Sequence, residues 1–159
     1  MINRIFLSCG ILFTLAACSM SPSIYSDSWS MSVMGVSMDV YIVPDLGEYR
    51  GLARMNSNSC TIRIASKATN LIPVYVSVLS HEIYHCLDYF TLDYDHNGFK
   101  DEGCQYGNHY CSPTEGYAKF GAEIYMNECG LDYDSLSNLK NGMDGCFVSP
   151  RDILPNYFH

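Results

Sequence analysis

The chain has 159 residues, with 17 acidic side chains against 9 lysines and arginines and a net charge of -8. That balance argues against nucleic acid as a partner and against a polybasic membrane patch, both of which need clustered cations. The length suits one small domain with a single core, in which cross-links compensate for limited buried surface.

Arg4 opens a basic leader segment, Ile5 to Leu15 are apolar but too few to span a bilayer, and Leu15-Ala16-Ala17-Cys18 places a cysteine after a small-residue cleavage site. This pattern resembles a bacterial lipobox. The resemblance implies a signal peptide over residues 1–17 and acylation of Cys18. Because Ser19 follows rather than aspartate, it also implies carriage to the outer membrane of a Gram-negative envelope, facing the periplasm or the surface. An ordinary secretory signal is the alternative, and either way the chain is exported. Residues 18–37 are rich in serine, methionine and proline, and are expected to form a flexible tether spanning on the order of 25 Å. Residues 38–159 are then the folded domain, a monomer held to the membrane by lipid alone.

Export makes the cysteines legible. Cys9 leaves with the signal and Cys18 carries lipid, so Cys60, Cys86, Cys104, Cys111, Cys129 and Cys146 remain as an even set in an oxidising compartment, where pairing into disulfides is expected. Cys104 with Cys111 and Cys129 with Cys146 would each close a short loop, leaving Cys60 for Cys86. The competing reading is a second zinc site built from Cys104, His109 and Cys111.

Met38 to Pro44 alternates as a strand does, and Asp45-Leu46-Gly47 turns it. Gly51 to Met55 and Cys60 to Ala65 read as two more strands, joined through the hairpin-type loop Asn56-Ser57-Asn58-Ser59. A helix is predicted from about Leu71 to Phe90, with Asn70 as its cap and Pro73 in its first turn. At helical spacing Ile72, Tyr75, Val76, Leu79, Ile83, Cys86, Leu87 and Phe90 share one side, and His81, His85, Val74, Ser77 and Asp88 the other. A second helix opens at Ser112-Pro113 and runs to about Cys129. Beyond Leu131 there are turn residues and short apolar pieces without a dependable pattern.

The first of these helices carries His81-Glu82-Ile83-Tyr84-His85, an HExxH motif. Two histidines four residues apart share a helix face and can grip one zinc ion, with the glutamate beside the remaining coordination site. The bland reading is a surface helix with two incidental histidines. The order of sheet, HExxH helix, loop and second helix resembles the core of the zincin metallopeptidases. The resemblance implies a small α+β domain in which a short antiparallel or mixed sheet packs on the HExxH helix and on a second, ligand-bearing helix. It also implies that the strand before the metal helix, Cys60 to Ala65, takes peptide substrate as an added strand. The metzincin branch is disfavoured, because Asp88 stands where that branch has glycine.

Catalytic zinc commonly takes three protein ligands and leaves the fourth place to water. Asp93, Asp95, His96, His109, Glu115, Glu123 and Glu128 are the downstream candidates. Pro113-Thr114-Glu115-Gly116-Tyr117-Ala118 resembles the Pro-x-Glu-x-x-Ala pattern that supplies the glutamate ligand in zincins of the glutamate type, so Glu115 is the expected third ligand, with Glu123 in reserve. On that helix Ala118, Ala122 and Met126 fall near Glu115, while Tyr117, Phe120 and Ile124 fall opposite, towards a core. The competing role for Glu115 is local, since Ser112-Pro113-Thr114-Glu115 is also a capping box.

With His81, His85 and Glu115 on the metal, Glu82 is left as general base for a zinc-activated water. An oxyanion donor is expected among Tyr110, Tyr117, Tyr125 and His109. Asp88 orients a ligand histidine or, more simply, is an exposed aspartate near the helix end. Asp93, Asp95, Asn97, Gly98 and Asp101 match successive places of an EF-hand-type loop, which points to calcium as a second cofactor. The twelfth place is Cys104, so either Glu102 substitutes, the site is weaker, or the loop is an acidic turn. These readings converge on a lipid-anchored zinc metallopeptidase acting on peptide or protein substrates. The alternatives are a disulfide- and metal-stabilised lipoprotein that binds an envelope partner without catalysis, and an amide hydrolase of the cell wall.

Overall fold

In Val36-Ser37-Met38-Asp39-Val40-Tyr41-Ile42-Val43 every second side chain is apolar, and the two-residue period of a strand sends Val36, Met38, Val40 and Ile42 to one face, where all four are buried. The computed structural model, which describes residues 27–92 and 112–153, builds on this strand a four-stranded mixed sheet and three α-helices. The strands are β1 (Asp27–Val33), β2 (Val36–Val43), β3 (Gly51–Met55) and β4 (Cys60–Ala65). Their order in the sheet is β1-β2-β4-β3, with β2 and β4 parallel and the other two pairs antiparallel.

The domain starts earlier than expected. Residues 27–37 form β1 and the start of β2 instead of continuing a tether, because the serine-rich composition conceals a period of two: Trp29, Met31 and Val33 alternate with Ser28, Ser30 and Ser32. Met31 and Val33 are buried in the core. Trp29 is partly buried under Lys140, whose ammonium lies 4.6 Å from the indole centroid and 3.6 Å from an Asp27 carboxylate oxygen. The proposed lipid site Cys18 and the signal segment lie outside the described residues.

The strand order also corrects the expected site of peptide addition. β4 is paired on both sides, with β2 and β3, so Cys60 to Ala65 has no free hydrogen-bonding edge. The edge strand next to β4, on the side of the helix that carries His81 and His85, is β3. Arg50 O accepts from Ala65 N at 2.9 Å and Asn56 N donates to Ser59 O at 2.8 Å, which fixes the phase of the β3–β4 ladder. Residues 50, 52, 54 and 56 therefore face β4, and Gly51, Ala53 and Met55 turn their N–H and C=O groups to the open edge.

The helices are α1 (Ile72–Leu92), α2 (Pro113–Cys129) and α3 (Tyr133–Lys140). α1 starts with Leu71 O accepting from Tyr75 N at 3.0 Å, one residue later than a cap at Asn70 requires, and Pro73 sits in its first turn. Its apolar stripe of Val76, Leu79, Ile83 and Leu87 packs with Met38, Val40, Ile62 and Ile64 of the sheet in one core. α1 does not, however, leave its opposite side open to water. It contacts β2, β3, β4, α2 and α3, so Glu82, Tyr84, His85 and Asp88 are buried along with the apolar stripe. Asp88 is fully buried, which overturns its reading as an exposed helix-end residue; α1 continues beyond it and α2 covers it.

Close approach of α2 to α1 depends on Gly121, where an added Cβ would stand 2.5 Å from the Tyr84 ring. The buried face of α2 is Tyr117, Ala118, Gly121, Ala122 and Tyr125. Phe120 was expected in the core and is exposed instead, because the helix is rotated to aim its small residues at α1. α3 escaped the sequence because it is only eight residues long; Asp132 caps it by accepting from Ser135 N at 2.8 Å, and Leu136 and Leu139 anchor it.

Two disulfides join these elements, the short-loop pair Cys129–Cys146 and the pair that this left over, Cys60–Cys86. Cys60–Cys86 ties the start of β4 to the residue after His85, with Cα atoms 5.9 Å apart. Cys129–Cys146 ties the end of α2 to a short 3-10 turn, with Cα atoms 5.7 Å apart. Cys104 and Cys111 lie outside the described residues. No helix among the described residues is long and apolar enough to cross a membrane.

Candidate metal centre

The four-residue spacing puts His81 and His85 on one side of α1, with their Nε2 atoms 3.0 Å apart. Glu115, in the first turn of α2, faces both: one carboxylate oxygen is 3.1 Å from His81 Nε2 and the other 3.4 Å from His85 Nε2. The capping question resolves by a division of labour. Ser112 Oγ accepts from Glu115 N at 3.2 Å and caps the helix, while the Glu115 carboxylate lies against the histidines.

These three residues form a group that can hold a metal ion, the one such group among the described residues. The two histidine nitrogens stand 3.0 Å apart and each meets a different Glu115 oxygen, at 3.1 and 3.4 Å, while one ligand atom from each of the three residues lies within 4.8 Å of the others. A small ion can draw such a set together, since ligand atoms about 2.1 Å from a tetrahedral metal stand roughly 3.4 Å apart. Two imidazoles and one carboxylate are donors that would suit a borderline ion of the zinc type.

Electrostatics match this arrangement. Burial pushes the Glu115 carboxyl up, but the hydrogen bonds and charges of His81 and His85 prevail and hold it well below the usual carboxylate range. Burial pulls His85 down, yet Glu115, Glu82 and Asp88 together raise it. Glu82 is raised chiefly by burial, against the charges of His85 and His81 and the backbone amide of Ala53. A buried carboxyl shifted upward beside a metal-ligand group has the profile of a proton-transfer residue.

The four side chains open into a cleft of about 770 Å³ between β3 and α2. The reserve ligand Glu123 is an exposed residue of its wall and does not join the metal group, and Glu128 is exposed as well. Asp93, Asp95, His96, His109 and Tyr110 lie outside the described residues, as do Asn97, Asp101 and Glu102 of the calcium reading. Tyr117 and Tyr125 cannot serve as oxyanion donors: both are fully buried, and Tyr125 donates to Ser135 O at 3.2 Å. Polar side chains that the sequence reading passed over line the cleft instead, notably Tyr49, Arg50 and Lys119. Lys119 was within reach of a helical count, four residues from Glu115; Tyr49 and Arg50 reach the site only through the sheet. Comparison with protein-family models, with curated proteins and with solved structures finds no match.

Proposed function

We propose that the protein is a zinc metallopeptidase of the glutamate-ligand zincin type, tethered to a bacterial envelope through Cys18. The observation that carries this reading is the meeting of His81, His85 and Glu115 in one cleft with a buried Glu82 that is not needed to hold the metal. Zinc held there supplies Lewis acidity towards a substrate carbonyl and lowers the pKa of water towards neutrality. Glu82 accepts a proton from the attacking water as its oxygen bonds to the carbonyl carbon, and passes that proton to the amine as the C–N bond breaks. The upward shift of Glu82 strengthens the carboxylate as the acceptor of that proton. An extended substrate adds to the open edge of β3, where main-chain groups provide affinity without dictating side chains.

The test is cleavage of a peptide library and of envelope proteins by the zinc-loaded chain. Cleavage should cease with chelator and return on addition of zinc. A fully loaded, correctly cross-linked protein that cleaves nothing and still binds an envelope partner would establish the non-catalytic alternative. Attachment has its own prediction: Cys18→Ala should move the protein out of the membrane fraction or leave it unprocessed, because stable anchoring needs the acyl chains. Normal processing with equal membrane retention would remove the lipid anchor.

A further inference from the structure

A glycine at position 51 is unexpected on pattern alone, since glycine weakens a strand. Its reason is spatial. A Cβ added to Gly51 would run into Glu82 Oε1 and stand 2.8 Å from both Glu82 Cγ and Val78 Cγ1. The Glu82 side chain therefore rests directly on the backbone of β3, in space that any other residue would fill. Two residues on, the ladder phase turns the Ala53 N–H away from β4, and that amide is among the groups acting on Glu82.

The geometry points to β3 as the seat of the general base: Gly51 leaves the space for the Glu82 carboxylate and the outward amide of Ala53 donates to it. Gly51 is thus a positioning residue, acting through Glu82. The seat rests on the peptidase reading only in calling Glu82 a base; the contact itself exists whatever the chain does. The upward pull of burial on Glu82 is opposed by that same amide, which agrees with a donor aimed at the ionised carboxylate. The seat also restricts substrate. With the Ala53 amide engaged, an added strand is left with the Ala53 carbonyl and the outward groups of Gly51 and Met55.

Hydrogen exchange read residue by residue on the zinc-loaded full chain tests the seat, because an edge-strand amide is protected only if something accepts from it. In the wild type the Ala53 amide should be protected. Glu82→Ala should speed its exchange by about 10-fold or more, whereas the β4-facing amides of Leu52 and Arg54 stay protected. Glu82→Gln keeps an acceptor oxygen and should keep the protection. Gly51→Ala should expose the Ala53 amide as Glu82→Ala does, and should lower kcat far more than it changes KM or zinc content. If Gly51→Ala fails to fold, seen as lost protection at Leu52 and Arg54, Glu82→Ala decides alone. Equal exchange of Ala53 in wild type and Glu82→Ala overturns the seat, even if peptides are cleaved. Protection that depends on Glu82 in a chain that cleaves nothing leaves the seat standing and removes the peptidase.

Discussion

Glu82→Gln is expected to retain zinc while turnover falls by a factor on the order of 100 or more, since the amide nearly matches the carboxylate in size but cannot take a proton from water. His81, His85 and Glu115 are untouched by the change, so metal content should stay at the wild-type level. Stability gives the prediction a second arm. A carboxyl whose value is raised on folding contributes stability below its unfolded value and loses it as pH rises. In the metal-free chain the glutamine variant, which does not titrate, should therefore lose less stability than wild type as pH rises. Metal content by mass spectrometry, a melting curve and single-turnover cleavage read the three quantities. Undiminished cleavage would take the base away from Glu82.

Glu115→Ala should lose the metal. Removing an outer-shell partner of a ligand commonly weakens metal binding 10–100-fold, so removing a ligand should weaken it by at least ~100-fold. The helix should survive, because its cap is Ser112 Oγ accepting from the backbone N–H of residue 115, which alanine retains. Helix content by circular dichroism and zinc affinity by competition with a chromophoric chelator separate a lost ligand from a lost fold. Glu123→Ala, on the exposed wall of the cleft, should bind zinc as the wild type does; the reverse pattern would transfer the ligand role to Glu123.

The elements of this fold were legible wherever a local period or end signal was strong. The strands at 51–55 and 60–65 and the helix at 113–129 stand at their predicted bounds, and the hairpin loop at Asn56 to Ser59 joins its strands as read. β1 went unread because serines hid its alternation, and α3 because eight residues offer barely two helical turns. The calcium reading and the Cys104–Cys111 pairing lie outside the described residues.

Spacing alone determined that His81 and His85 share a helix face and that Glu82 sits beside them, because the helical repeat is a property of the backbone. Motif resemblance selected Glu115; loop length suggested Cys129–Cys146 and left Cys60 for Cys86, but the sequence alone did not choose among the possible connectivities. Tertiary structure decided the rest. The pairing of β2 with β4 places β3 at the edge and the expected substrate strand in the interior, a choice made by contacts distant in sequence. Packing of α2 on α1 buries Asp88, withdraws Tyr117 and Tyr125 from the cleft and turns Phe120 outward. The need for glycine at position 51 arises only when the edge strand meets the side chain of Glu82, and no periodicity within either element records that meeting.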